Sequence, residues 1–243
     1  FWDVDGTLAD TEMDGHRPAF NRAFKDLDLN IVWDRVLYAR LLAIPGGLQR
    51  VSVYAKSCGI PLSAIQLEAI RDRKRIHYTE LAQSGAIHFR PGIRRLLALL
   101  QEAGIQQWIV TSSGSASVEA LLSSAQEVIP MFRGMVTADD VDQGKPSPQG
   151  YQLALKTSGC PAAQCLAVED SEAGLDAARS AGLRCLLTPS PWDPNLSQRH
   201  DDAVAVFDHV GDSAQPARCL SGPPCVDGLV TLEYLKALLS LPG

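Results

Sequence analysis

From residue 91 onward the chain alternates between short apolar runs and amphipathic stretches, and this alternation constrains its fold more than any other feature. Residues 92–103 carry apolar positions at helical spacing and stop at Gly104, and 105–110 form an apolar run ended by Thr111-Ser112-Ser113-Gly114. The same signals predict helices over 115–126, 148–157, 171–180 and 229–239, with Ser115 or Ser117 capping the first. Strands are predicted over 135–138, 165–168, 183–187 and 203–207, and loops rich in Pro, Ser and Asp over 189–199 and 213–227. Strands separated by helices pair in parallel through helical crossovers. The expected fold class is therefore α/β, a doubly wound parallel sheet covered on both faces.

Residues 11–84 break the pattern, because they hold no strand-like run. Helical spacing covers 11–29, 34–42, 47–57 and 63–81, with breaks at Pro45-Gly46-Gly47 and Gly59-Ile60-Pro61. An inserted helical cap over 13–87 is expected, with 1–12 and 88–243 forming the core.

Doubly wound sheets bind ligands at the carboxyl ends of their strands, and polar clusters fall at those ends. The first is Asp3-Val4-Asp5-Gly6-Thr7, two acids where a short apolar strand runs out. Carboxylates this close repel unless a cation lies between them or one is protonated. The expected cation is Mg2+, which takes a few carboxylates and keeps several waters. Thr111, Ser112 and Ser113 follow the second run, Lys145 lies in Gln143-Gly144-Lys145-Pro146-Ser147-Pro148, and Glu169-Asp170 follow a later strand. Each alone has an ordinary reading: an acidic turn, a helix cap, a surface lysine, a solvated loop. Together they make one chemically complete phosphoryl-transfer site. Asp3 would attack phosphorus and form an aspartyl-phosphate, while Asp5 would protonate the leaving alkoxide and then activate water. Thr111, Ser112 and Lys145 would hold the phosphoryl oxygens, and Glu169 and Asp170 would complete a metal site with Asp3 and Asp5.

The formal net charge of -6 argues against a nucleic-acid partner, whose binding rests on Lys and Arg at phosphates. No apolar run approaches the roughly 20 residues of a membrane span, and no leader or lipidation signal is read, so no membrane partner is expected. The six cysteines follow no metal-ligand spacing and are expected as free thiols, with a Cys219–Cys225 disulfide as the less favoured reading. The chain opens without Met inside a strand, as a fragment lacking that strand's first residues would.

At these motifs, in this order, the sequence resembles the haloacid dehalogenase-like hydrolases. The helical insert resembles that of the subclass with a helical-bundle cap, to which the β-phosphoglucomutases belong. A finer resemblance, carried by Trp33-Asp34-Arg35, Tyr38, Leu41-Leu42, Gly46-Gly47 and Arg50, is to the CbbY-type sugar-phosphate phosphatases. These dephosphorylate xylulose-1,5-bisphosphate, a misfire product and inhibitor of the carbon-fixing carboxylase Rubisco. The resemblance implies a Rossmann-like core, Mg2+ as cofactor and a small phosphorylated sugar, a pentulose bisphosphate, as substrate. It also implies that Glu12, Gly46, Gly47, Arg50, Arg71 and Lys74 line the substrate side. A bisphosphate needs a second anion site, which Arg50, Arg71 and Lys74 could supply, the alternative being a solvated basic helix face.

The chain departs from that pattern at three places. Leu48-Gln49 stands where the family carries Lys-Glu, which removes a positive charge from the substrate loop. Gln149 replaces an Asp and Trp2 a Phe. Two other readings stay open. One is a phosphosugar mutase with the same intermediate, for which His16 and Lys74 stand where mutase caps place polar residues. The other is a catalytically silent binding protein on the same fold. The protein is expected to be a monomer in the cytoplasm, or in the stroma if its source bears plastids.

Overall fold

The computed structural model describes residues 1–44, 46–190, 192 and 196–241. The insert is helical throughout these residues, with α1 (Arg17–Asp26), α2 (Arg35–Leu41), α3 (Gly47–Ser57) and α4 (Ala64–Gln83). The helix expected from residue 11 is split, because Glu12–His16 form a π-helical turn before α1 begins. Pro18 in the first turn of α1 explains the split, since it has no N–H to donate back along a continuous helix. α4 opens on a capping box between Ser63 and Gln66, worth about 1 kcal/mol. Met13, Phe20, Phe24, Tyr38, Val51 and Ile70 pack around Trp33, whose ring lies 5.2 Å from Phe20 and 4.9 Å from Phe24. Tyr78, Leu81 and Ala82, in the last turns of α4, pack instead with the residues of the sheet.

The apolar runs form one sheet. β1 (Trp108–Val110) pairs in parallel with β2 (Gly134–Val136). β3 (Leu166–Glu169), β4 (Arg184–Leu187) and β5 (Ala205–Phe207) pair in parallel in that order. Residues 1–3 join the two halves. Trp2 bridges in parallel to Ile109 on one side and Val168 on the other, its N–H reaching Trp108 O at 2.8 Å, and Asp3 N–H reaches Val168 O at 3.1 Å. The nucleophile candidate thus sits at the end of the central strand. β6 (Cys219–Ser221) runs antiparallel to β5 at the edge. It corrects the loop expected over 213–227, where a three-residue, half-exposed strand leaves almost no periodic signal.

Successive strand residues face opposite sides of the sheet. Ile109, Val168, Leu186 and Phe207 face one side and Val110, Ala167, Leu187 and Val206 the other. α5 (Ile93–Glu102), α6 (Ser115–Ser123) and the later α9 (Leu232–Leu239) cover the first face through Leu96, Leu97, Leu121, Leu235 and Leu238. α7 (Gln149–Ser158) and α8 (Glu172–Ser180) cover the second through Tyr151, Ala154, Leu175 and Ala178. Fully burying each leucine contributes about 2 kcal/mol.

Neither Ser115 nor Ser117 caps α6. Gly114 is its N-cap, and Asp139 from the loop after β2 accepts from both the Ser115 N–H (2.8 Å) and hydroxyl (2.7 Å). Part of the loop expected over 189–199 lies outside the described residues, and its end is a 3-10 helix, Leu196–Asp202. The six cysteines are free thiols, Cys219 and Cys225 among them. No helix among the described residues is long and apolar enough to cross a membrane.

The chain crosses between core and insert twice, and the crossings are bonded to each other. Ala9 bridges antiparallel to Phe89, Asp10 N–H donates to His88 O at 3.2 Å, and Arg90 N–H donates to Leu8 O at 2.9 Å.

Candidate active site

The strand ends bring Asp3, Lys145, Glu169 and Asp170 together. Lys145 Nζ lies 2.6 Å from Asp3 Oδ1, 2.6 Å from Glu169 Oε1 and 2.8 Å from Val110 O. Asp3, Glu169 and Asp170 are buried and offer oxygens within 4.8 Å of one another. Gly6 makes room for them. Its φ is +82°, and a Cβ there would lie 1.9 Å from Asp170 Oδ2, so the turn after the strand accepts no side chain.

Three carboxylates face one ammonium, and the electrostatics register the imbalance. Burial raises the Asp3 pKa to about 7; Lys145 opposes that rise, while repulsion from Glu169 and Asp5 adds to it. Burial, then Asp3 and Glu169, pushes Asp170 well above the carboxylate range. Burial works to lower the Lys145 pKa, but Asp3 and Glu169 outweigh it and hold the ammonium charged. Glu169 Oε2 is buried with no hydrogen-bond partner. An orphaned carboxylate oxygen inside an all-oxygen, charge-deficient cluster fits a hard divalent cation such as Mg2+. Asp3, Glu169 and Asp170 would hold it.

Asp5 is turned away from this cluster. Its carboxylate accepts from the Ser113 hydroxyl and lies 3.6 Å from His16 Nε2. Burial works to raise the Asp5 pKa, yet His16, Ser113 and Thr11 together bring it below the usual carboxylate range. The hydroxyls after β1 are engaged in building the site. Thr111 Oγ1 accepts from Ser113 N–H at 3.1 Å, and Ser112 Oγ accepts from Lys145 N–H at 3.2 Å.

On the cap, Glu12, Tyr38 and Arg50 form a closed cluster. The Tyr38 hydroxyl donates to Glu12 at 2.6 Å, Arg50 Nη1 lies 2.9 Å from that hydroxyl and Nε 2.9 Å from Leu41 O. Arg50 is 7% exposed and stacks its guanidinium over the Tyr38 ring at 5.1 Å. Arg50, expected on the substrate side, is thus held by the Tyr38 hydroxyl and the Leu41 carbonyl and lies 3.9 Å from the half-buried Glu12 carboxylate. Arg71 lies on the solvent face beside Asp72. Lys74 turns inward, its ammonium 4.9 Å from the Tyr78 ring and 5.6 Å from the Phe20 ring. Burial lowers its pKa against the pull of Asp5 and Glu12. Gly46 caps α3 at φ +80°, a turn that favours glycine, and a Cβ on Gly47 would meet the Phe20 ring at 2.9 Å, so Gly47 serves the packing of α3.

His16, named from the sequence only for the mutase reading, lies one turn beyond Glu12 and 3.6 Å from Asp5. Three further residues of the site were not among those expected from sequence. Tyr151 lies in the first turn of α7 and donates its hydroxyl to Glu169. Arg90 donates to the carbonyls of Gly6, Thr188, Pro189 and Asp208, tying the loop that follows Asp3 and Asp5 to the ends of β4 and β5. Trp192 reaches the hinge residue Asp10 (3.4 Å), with Arg35 of the cap over its ring at 5.7 Å. Nothing local in the sequence marks these last three.

The model of the haloacid dehalogenase-like hydrolases matches residues 1–182. The plasmid-encoded protein CbbY of Cupriavidus necator is 38% identical over 225 residues, covering 88% of this chain and 86% of that protein. A solved variant of CbbY from Rhodobacter sphaeroides in complex with xylulose-1,5-bisphosphate superposes with a TM-score of 0.68 at 36% identity, over 79% of this chain and 86% of that one. A putative β-phosphoglucomutase from Thermotoga maritima superposes with the same score at 24% identity, over 84% and 91% of the two chains, which shows the shared fold.

Proposed function

Because the chain belongs to the haloacid dehalogenase-like hydrolases and is a phosphatase, we propose that it is a Mg2+-dependent sugar-phosphate phosphatase that removes a phosphate from a pentulose bisphosphate. The observation that carries this reading is the convergence of Asp3, Lys145, Glu169 and Asp170 at the end of the central strand. Likeness to CbbY, solved with xylulose-1,5-bisphosphate, supports the substrate class.

The Asp3 carboxylate attacks phosphorus, forming an aspartyl-phosphate as the sugar alkoxide departs. Lys145 orients Asp3 and faces the phosphoryl oxygens with a charge that Asp3 and Glu169 hold in place. Asp5 protonates the alkoxide. Held ionised in the free protein, it takes up a proton from bulk water as the anionic phosphate approaches and raises its pKa, and passes that proton to the alkoxide. It then takes a proton from the water that hydrolyses the intermediate, the role its hydrogen bond from Ser113 suits. Asp3, Glu169 and Asp170 would hold Mg2+, which would supply positive charge to offset that of the carboxylates and the phosphoryl group. Arg50 is engaged by Glu12 and Tyr38, so Lys74, whose ammonium turns inward over the Tyr78 ring, would meet the second phosphate.

Asp3→Asn should abolish phosphate release from xylulose-1,5-bisphosphate, because an amide cannot act as this nucleophile. Retained turnover would sink the mechanism. A mutase would instead need a bisphosphate activator and isomerise a hexose 1-phosphate, so phosphate release without activator separates the two.

A further inference from the structure

Tyr151 has no place in the chemistry above, yet it is fully buried and aimed at the site. Its ring lies in the core beneath the sheet, edge-on to Phe1 with centroids 6.2 Å apart, and Lys145 Nζ sits 5.4 Å from its ring centroid. Its hydroxyl donates to Glu169 Oε1, the same oxygen that Lys145 meets at 2.6 Å. The other oxygen, Oε2, has no partner among the described residues, and the backbone of Gly174 comes so close that a Cβ there would lie 1.9 Å from it.

The terminal torsion of a glutamate is broad and close to two-fold, so a carboxylate anchored by one ammonium alone could rotate about that contact. A second donor from another direction removes the freedom. The phenol and the ammonium approach Oε1 from α7 and from the loop before it, and the bare Gly174 backbone leaves room for the carboxylate in that pose. We infer that Tyr151 is the positioning residue of the divalent-cation site, its hydroxyl locking the rotation of the Glu169 carboxylate and, through the shared lysine, the orientation of Asp3. This rests on the reading that Asp3, Glu169 and Asp170 bind Mg2+. Tyr151 touches neither the cation nor the phosphate. Removing such an outer partner of a metal ligand costs 10- to 100-fold in affinity.

Mg2+ titrated calorimetrically into metal-free wild type and Tyr151→Phe tests this without reference to turnover. The phenylalanine variant keeps the ring, so the metal-free proteins should melt within about 2 °C of each other, while the Kd for Mg2+ should rise at least tenfold. The same shift should appear in the Mg2+ concentration giving half-maximal phosphate release, with kcat at saturating Mg2+ falling far less. In a Glu169→Gln background the tyrosine substitution should add little, since the two groups act as a pair. A Kd within twofold of wild type, or full additivity in that background, would overturn the inference alone. A wild type that fails to bind Mg2+ would overturn the metal reading beneath it as well. Tyr151→Met, which also lacks the hydroxyl, repeats the titration should the phenylalanine variant not fold.

Discussion

The protein holds two polar clusters built on opposite principles, one at the strand ends and one among the helices of the insert. In the core, the carboxylates of Asp3, Glu169 and Asp170 converge on the single ammonium of Lys145, and one buried oxygen is left without a partner. In the cap, Glu12, Tyr38 and Arg50 close on one another and on the Leu41 carbonyl, and no charge is left over. Burying charge is costly unless it is paired. The two clusters teach that a buried polar group marks a binding site where its charges fail to balance, and a structural strut where they do. Arg50 has the residue type of a phosphate ligand and the surroundings of a strut.

The sharpest way to break this contrast is to withhold the cation. EDTA should reduce phosphate release to background, and Mg2+ should restore it. The metal-free protein should also respond to pH with a defined sign. Burial raises the Asp3 pKa from 3.8 to about 7, so the folded state holds this proton more tightly than the unfolded chain. That stabilisation is complete below about pH 4 and lost as pH rises towards 7. Melting temperatures of EDTA-treated protein should fall across that interval, and those with saturating Mg2+ should fall much less. Parallel curves would mean that the core cluster is balanced without a cation.

Arg50→Ala comes next in size. It strips Glu12 of its cation and the Leu41 carbonyl of its donor, and should cost about 3 kcal/mol in urea denaturation. If stability instead held and only the KM for a sugar bisphosphate rose, Arg50 would be a substrate ligand and the contrast would fail. The smallest effect is expected at Lys74. Lys74→Met should raise the KM for a sugar bisphosphate about tenfold, the equivalent of about 1.4 kcal/mol for one charged contact. A small aryl phosphate, which has no second anion, should show little change in KM. Equal changes for both substrates would remove Lys74 from the specificity site.

The two clusters also differ in how far they could be read in advance. Asp3, Lys145 and the Glu169-Asp170 pair are distant in the chain, but the three acids stand where strands end and Lys145 lies in the loop between β2 and α7. Parallel topology gathers such ends at one edge whatever the details of packing. Arg50 was different. Whether its guanidinium is free depends on Tyr38 and Glu12, brought to it by the folding of the insert, and on the carbonyl of Leu41. No local pattern reports that. Long-range partners likewise explain the α6 terminus, where Asp139 takes over the capping expected of Ser115, and Arg90, whose acceptors lie up to 118 residues away. Regular elements and strand-end chemistry follow from local periodicity, whereas the state of a long polar side chain is decided by whatever tertiary neighbour arrives first.

The paired crossings at residues 8–10 and 88–90 carry a mechanical consequence. Two independent tethers would let the helical domain twist and slide over the sheet. Bonded to each other as a short antiparallel ribbon, they behave as one leaf. A ribbon of this kind bends across its face more easily than it shears along its length. Arg90, at its end, is riveted to carbonyls on three segments of the stationary side. The motion left to the cap is a swing about a single axis, with its pivot beside the loop that carries Asp3 and Asp5. A small angular change there is multiplied along the length of α4 (Ala64–Gln83), so that its far end at Ala64 travels furthest and Lys74, midway along it, less, while the loop carrying Asp3 stays still.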